Sequence, residues 1–362
     1  MLKNKNIAII FTASILGGHE LMSVAHIKKF VKKGFSISCY LPSDNGKLIA
    51  LLDSAGINYE LHHVLHKRME IIHSFFNPLH VIKSSLLLKK LSQTHDYMVI
   101  IQGDIELGAG FLNGGRLLGL GNRVVSYIPY AHSFEKMGSR LAKAKDFLAK
   151  FAYRSCDNYV TICNQFRHDL KEKNKSANVR VLRNFVAKPA PKDIRGVGYE
   201  FLSNPEKIKI LMAGRVFFRQ KGQDVLLEAL RDINNRVDLT VIGDGPDLDE
   251  MKHTARQLGN NINVEFLGWK DNVWDFAYDA DLIAIPSSYE GVPLIMLEAL
   301  KRNVPVIAPA RDGMLDYLGK DSLYFVGDSE SDVDKLREKI ALFIAKKNGL
   351  GAKTINNSNE IV

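Results

Sequence analysis

Apolar runs of four or five residues recur along the first half of the chain, at 7–11, 36–40, 98–101, 124–127 and 159–162. Runs this short read as buried strands, and the longer stretches between them are patterned as helices. Strands alternating with helices predict parallel βαβ units. The alternation restarts after residue 205, with strands expected at 208–213, 239–242, 263–266, 282–285 and 304–308 and helices at 223–233, 247–258, 273–280 and 294–301. A second doubly wound domain therefore follows the first.

Between them, residues 188–206 hold Pro189, Pro191, Gly196, Gly198 and Pro205 with little periodicity, the composition of a linker. The expected organisation is an N-terminal domain over 1–187, that linker, a C-terminal domain over 207–347 and a loose polar tail over 348–362. A length of 362 residues suits two domains of roughly 100–200 residues each.

Lysine and arginine number 49 against 40 acidic residues, a net charge of +9. That excess favours an anionic partner: a nucleotide, a phospholipid surface or nucleic acid. Cys39, Cys156 and Cys163 are odd in number and show no CxxC spacing, which predicts a reducing compartment with neither disulfide nor zinc site. The apolar segment 7–11 is too short for a signal-peptide core. No stretch nears the ~18–20 apolar residues of a membrane span. A cytoplasmic protein is expected.

The strongest motif is Ser287-Ser288-Tyr289-Glu290-Gly291-Val292-Pro293-Leu294-Ile295-Met296-Leu297-Glu298: a strand end, a glycine loop, and a helix with proline at its first turn. Ligands of open parallel sheets bind at such carboxyl ends, and a helix N-terminus offers N–H groups to a diphosphate. Glu298 falls inside an apolar run, where an unpaired carboxylate is costly. With Glu290 it suits sugar and ribose hydroxyls, although a loop glutamate and a solvated helix position are the plain alternative. Arg215 and Lys221 lie in the loop after the first strand of the second half, where a guanidinium fork and an ammonium could neutralise a leaving diphosphate without metal. Solvated charges are their plain alternative.

Weaker signals come from glycines and one histidine. Gly17-Gly18 follows the first strand and opens a helix, permitting close backbone approach to phosphate or sugar, but it is not GxGxxG. Gly243 sits in Gly243-Asp244-Gly245-Pro246, which a tight turn also explains. His132 falls just past the strand at 124–127, structural or site-facing. Over 136–154, Lys136, Arg140, Lys143, Lys150 and Arg154 share one stripe beside Met137, Leu141, Ala144, Leu148 and Phe151, the pattern of a basic amphipathic helix. Its reading is either a solvated basic face or contact with an anionic membrane or lipid-linked acceptor. Residues 62–68 and 83–90 add positive charge.

With these residues assembled, over roughly residues 7–330 the chain resembles the retaining group 1 glycosyltransferases of family four, which have the GT-B fold of two Rossmann-like doubly wound domains facing a central cleft. The specific part is Gly214-Arg215 to Lys221-Gly222, Gly243-Asp244-Gly245-Pro246, Phe266-Leu267-Gly268, and Pro286-Ser287 through Glu290 and Glu298, in family order. The resemblance implies that Arg215 and Lys221 bind the donor diphosphate, that Glu290 contacts the donor sugar and Glu298 the ribose, that Gly17 and Gly18 approach the phosphates, and that His132 lies near the reacting carbon. The helix start at Gly291, Val292, Pro293 and Leu294 is expected at the donor phosphates through its free N–H groups, and Gly243 is expected among the donor contacts as well. Two features depart from the family: Gln102-Gly103-Asp104 stands where relatives often carry histidine, and a long C-terminal crossover helix is not evident.

The expected function is transfer of a hexose or N-acetylhexosamine from a nucleoside diphosphate sugar to a saccharide or lipid-linked acceptor, in bacterial surface polysaccharide, lipopolysaccharide or glycolipid synthesis. No DxD motif stands at a strand end, so neither metal nor cofactor is expected. The rivals are a GT-B nucleotide-sugar 2-epimerase and a noncatalytic nucleotide or nucleic-acid binding protein. No recognition helix or aromatic-basic array supports nucleic acid, so none is expected as partner. The expected location is the cytoplasm or, through 136–154, peripherally on the inner face of the cytoplasmic membrane.

Overall fold

A computed structural model describes residues 5–194, 207–277, 279–318, 325–326 and 333–347. The chain divides into two units, Met1–Phe185 and Val186–Val362. Of the expected linker, Pro191–Asp193 forms one 3-10 turn, and residues 195–206 lie outside the described residues, as does the tail 348–362.

The first unit carries strands β1 (Asn6–Phe11), β2 (Ser36–Pro42), β3 (Tyr59–His62), β4 (Tyr97–Ile101), β5 (Val124–Tyr127), β6 (Asn158–Thr161) and β7 (Asn178–Val181). Its helices are α1 (Gly18–Lys32), α2 (Gly46–Ala55), α3 (Glu70–Phe76), α4 (Pro78–Leu91), α5 (Ala109–Leu117), α6 (Ala142–Tyr153) and α7 (Asn164–Lys173). Among the described residues the strands pair in the order β3-β2-β1-β4-β5-β6-β7, all parallel. The apolar strand interiors are buried on both faces, which is why they read as continuous hydrophobic runs. Strand order reverses between β1 and β4, the switch point at whose carboxyl edge ligands of such sheets bind.

The second unit carries β8 (Lys207–Ala213), β9 (Arg236–Ile242), β10 (Ile262–Gly268), β11 (Leu282–Ala284), β12 (Val306–Pro309) and β13 (Phe325–Val326). Its helices are α8 (Phe218–Lys221), α9 (Gln223–Arg231), α10 (Leu248–Ala255), α11 (Trp274–Ala277), α12 (Leu294–Lys301), α13 (Leu315–Leu318) and α14 (Val333–Lys347). Among the described residues the parallel order is β10-β9-β8-β11-β12-β13, so the switch point falls between β8 and β11. Ile208, Ile210 and Met212 of β8 pack with Leu226 and Leu230 of α9 and Leu336, Ile340 and Phe343 of α14. Helix α14 thus belongs to this unit's own core.

The continuous basic helix expected over 136–154 is corrected: the helix spans only Ala142–Tyr153. Gly138 and Leu141 take left-handed φ values of 66° and 57°, which break helical continuity. The turn before it is held by the Asp146 carboxylate, which accepts the N–H groups of Phe134 and Glu135 at 2.7 and 3.1 Å. Lys136 and Arg140 therefore lie off the helix. The buried face is Lys145, Ala149, Ala152 and Tyr153 rather than the expected apolar stripe, and the Lys145 ammonium is drawn in by Glu106 at 2.6 Å. The helix expected at 273–280 is also shorter, at Trp274–Ala277, with residue 278 outside the described residues.

One packing feature of this unit sets an acid limit on its stability. His26 of α1 is buried, its ring 6.2 Å from that of Phe30 and 5.0 Å from that of Phe185. Burial first, and the neighbouring Lys29 charge second, lower its pKa from 6.5 to about 4. The unfolded chain takes up this proton below pH 6.5 and the folded chain does not. Stability is then whole above pH 6.5 and falls as pH drops towards 4. His26→Leu is expected to shrink the acid-induced loss between pH 7 and pH 5 by about 2 kcal/mol, read by denaturant unfolding at the two pH values.

Candidate functional site

At the switch point of the second sheet, the loop after β8 meets the loop after β11. Lys221 ends α8, and its ammonium is ion-paired with the Glu290 carboxylate across 69 residues of sequence. Glu290 is buried. Its carboxylate also accepts the Ser287 hydroxyl at 3.1 Å, and its backbone N–H donates to the Asp312 carboxylate at 2.9 Å. A buried carboxylate is tolerable only when so supplied. The two residues expected at the diphosphate and the sugar are therefore together, each holding the other.

Backbone contacts fix the loops around that pair. Ser288 N–H donates to the Gln220 carbonyl at 2.8 Å, the Arg311 guanidinium donates to the Ser288 carbonyl at 3.0 Å, and the Gln223 amide to the Arg215 carbonyl at 2.9 Å. The glycines let main chains touch. Gly243 has φ 143°, and a Cβ there would run into the Gly214 carbonyl, while one on Gly222, at φ 66°, would strike the Pro286 carbonyl. Gly243 thus serves the stacking of loops upon one another. Gly291 is buried, its carbonyl accepting the Gly313 N–H at 3.0 Å. Val292 and Pro293 are buried beside it and Leu294, half-buried, begins α12 with Pro293 as its N-cap.

Arg215 is exposed, its guanidinium 5.8 Å from the Phe217 ring centre, and no carboxylate among the described residues pairs with it. It remains available to an anion. Glu298 is half-buried and not unpartnered: the Trp274 indole N–H donates to it at 2.7 Å, and Arg302 stacks 4.2 Å over that indole.

Sequence reasoning did not find Asp312, Arg311 or Trp274. Only Asp312 had a signal, lying before a glycine past the strand expected at 304–308; it adopts φ 53° to present its carboxylate to Glu290. Nothing in the linear sequence ties Trp274 to Glu298.

In the first unit, Gly17 caps α1 and donates its N–H to the Glu20 carboxylate at 2.9 Å, so this donor is already used. Burial raises the Glu20 pKa. Gly18 has nothing within 4 Å of an added Cβ and offers an open approach. His19 next to it lies edge-on to Tyr127 at 4.6 Å, and burial lowers its pKa to about 4. His132 is half-buried, its ring edge-on to Phe166 at 5.0 Å. Gln102 is buried and accepts the Ser126 hydroxyl at 2.5 Å, and Asp104 accepts the Glu106 and Leu107 N–H groups at 2.8 and 3.1 Å. Among the described residues no group of three or more His, Cys, Asp or Glu could hold a metal ion, and Cys39, Cys156 and Cys163 are buried with no disulfide joining them. No helix of the described residues is long and apolar enough to cross a membrane.

Comparison with known proteins agrees with this picture. The family model of glycosyl transferases group 1 matches residues 200–360. An uncharacterized glycosyltransferase of Haemophilus influenzae is 24% identical over 297 residues, 81% of this chain and 76% of that protein. The lipopolysaccharide core biosynthesis glycosyltransferase LpsD of Rhizobium meliloti is 26% identical over 212 residues, 58% of this chain and 60% of LpsD, so the alignment spans less than two thirds of that relative. HepE of Anabaena, solved in complex with UDP and glucose, superposes with a TM-score of 0.68 at 16% identity, covering 96% of this chain and 94% of HepE. Residues 200–360 thus match the group 1 glycosyl transferases, and the fold is GT-B, two parallel-sheet α/β domains.

Proposed function

We propose that the protein is a retaining glycosyltransferase of lipopolysaccharide or glycolipid assembly, moving a hexose or N-acetylhexosamine from a nucleoside diphosphate sugar to a saccharide or lipid-linked acceptor. The observation that carries the reading is the Lys221–Glu290 pair at the switch point of the second sheet. It sets a cation suited to a diphosphate beside a buried carboxylate suited to sugar hydroxyls. HepE, solved with UDP and glucose, supports a nucleotide-sugar donor, and LpsD supports a lipopolysaccharide-type acceptor.

In the reaction, the bond from the anomeric carbon to the diphosphate oxygen breaks, and its electron pair leaves with the diphosphate. The acceptor oxygen bonds to that carbon from the same face, and its proton passes to the departing diphosphate. Arg215 and Lys221 stabilise the charge as it develops, so no metal is required. Glu290 holds the sugar, and Glu298, oriented by Trp274, holds the ribose. Gly18 and His132 of the first unit keep the roles that the resemblance implies, beside the phosphates and the reacting carbon.

The test is turnover of a nucleotide-sugar panel with and without glycolipid or lipopolysaccharide-core acceptors. Acceptor-dependent release of nucleoside diphosphate, with product of unchanged anomeric configuration, is expected. Conversion of most of the donor to its C2 epimer without acceptor would make the protein an epimerase. Steeply salt-dependent binding to generic DNA or RNA, without affinity for nucleotide sugars, would remove it from the enzymes.

A further inference from the structure

Helix α4 carries large apolar residues on its exposed face. Its buried residues are His80, Ser84, Leu88 and Leu91, while Leu79, Ile82 and Leu86, one face at helical spacing, are 69, 51 and 61% exposed. The cause lies in α5, whose Gly110 and Gly114 bring its backbone against α4: an added Cβ would lie 2.8 Å from the His80 ring and 2.6 Å from the Ser85 hydroxyl. At His80 and Ser84 the interior side of α4 has room only for small or flat side chains, and Leu88 and Leu91 are buried only farther along, so Leu79, Ile82 and Leu86 face outward.

That exposed stripe continues onto neighbouring helices. Phe76, 72% exposed, closes α3 just before α4 begins. The adjacent Phe75 ring lies 6.4 Å from Phe151 of α6, and Phe151 lies 5.4 Å from Phe147, which is 58% exposed. An apolar patch of this kind marks a partner. Its charges identify which one.

Lys83 and Lys89 stand on the exposed face of α4, and Lys143 and Lys150 with the C-capping Arg154 on that of α6. Helix α4 contains no acidic residue, Glu70 of α3 is buried, and the single acid of α6, Asp146, is tied to the preceding turn. Every exposed charge on these three helices is therefore positive. Lys90 of α4 is paired with Glu60 of β3 at 3.7 Å, but the apolar side chains, flanked by exposed cations with no exposed acid on these three helices, match the acyl boundary and headgroups of an anionic lipid bilayer.

We infer that α3, α4 and α6 together form a monotopic docking surface for an anionic phospholipid membrane, seated on Phe76, Leu79, Ile82, Leu86, Phe147 and Phe151. The inference rests on the proposed use of a lipid-linked acceptor, which such docking would bring within reach. It replaces a single basic helix over 136–154 with a broader surface of which α4 supplies half.

The test is flotation with vesicles of phosphatidylcholine alone or mixed with phosphatidylglycerol. Wild-type protein is expected to float with the mixed vesicles, not with phosphatidylcholine alone, and to be released as salt rises. The double variant Ile82→Glu/Leu86→Glu should lower partition at least about tenfold. Lys83→Gln/Lys89→Gln should lower it about twentyfold. Circular dichroism and the thermal shift given by UDP, both expected unchanged in these variants, separate loss of docking from misfolding and from failure of the donor-site reading. Wild-type protein that ignores mixed vesicles, or variants that bind them as wild type does, would overturn the inference. So would a dimer that Ile82→Glu/Leu86→Glu dissolves without any vesicle binding, since the face would then belong to a second copy.

Discussion

Glu290→Ala is expected to lower turnover at least on the order of a hundredfold, and Lys221→Ala to lower it as far, the scale of losing one contact made in the transition state. The physical basis is that each side chain is held by the other before any ligand arrives. Removing Glu290 takes away the carboxylate proposed to hold the sugar and releases Lys221 from its position, and removing Lys221 leaves a buried carboxylate whose side-chain partner among the described residues is the Ser287 hydroxyl. Folding should survive either change, because the bond from the Glu290 N–H to Asp312 is made by main chain. Single-turnover kinetics at saturating donor measure the effect. Near-normal transfer by both variants would contradict the assignment.

Gly243→Ala should be the most damaging single methyl group in the second unit. The position combines φ 143° with the Gly214 carbonyl where the Cβ would stand. A non-glycine residue in that region costs of order 1–3 kcal/mol, and the collision adds displacement of the loop that carries Arg215 and Lys221. A total near 3 kcal/mol corresponds to a fall of roughly 6–12 °C in Tm for a unit of this size. Donor binding should be lost with it. Gly18→Ala provides the contrast, since its added methyl meets nothing within 4 Å and φ there is ordinary, so Tm should hardly move. Calorimetry of the two variants checks both outcomes, and equal transitions would show that the loops do not need their close approach.

Central strands were legible because burial on both faces leaves unbroken apolar runs, and β1, β4, β5, β8 and β12 all carry this signature. Strands β3 and β7 were not, for the opposite reason. Each lies at an edge of the first sheet and spans only four positions: Asn178–Val181 alternates exposed polar with more buried apolar residues, and Tyr59–His62 exposes Glu60 and Leu61 in succession. The boundary of α6 was hidden because its break depends on left-handed φ at Leu141, a residue type that gives no warning of it. The burial of His80 and Ser84 in α4, with Leu79, Ile82 and Leu86 outward, could be read only with α5 in place, since its cause is the glycine surface of another helix.

In the site, the placement of Lys221 and Glu290 on one edge followed from where strand ends lie in a parallel sheet, whereas their ion pair was not read from the sequence. The partner of Glu298 was beyond sequence. Its apolar neighbours correctly marked the carboxylate as needing a hydrogen-bond donor, but the donor, Trp274, sits 24 residues earlier in a four-residue helix. The burial of Glu20 against the Gly17 N–H was likewise missed, and it divides the two glycines: Gly17 is engaged by its own helix and Gly18 is open.

The measurement that bears most directly on the donor site is the thermal shift of the second unit's transition by UDP and other nucleoside diphosphates, in wild-type protein and in Lys221→Ala. A ligand that binds only the folded state raises apparent stability by RT ln(1 + [L]/Kd), about 2.7 kcal/mol at a hundredfold excess over Kd. Wild-type protein should show a shift that grows with ligand concentration, and Lys221→Ala should need at least roughly tenfold more ligand for the same shift. Equal shifts in the two proteins, or none in either across the panel, would contradict a nucleoside diphosphate site built on Lys221 and Glu290.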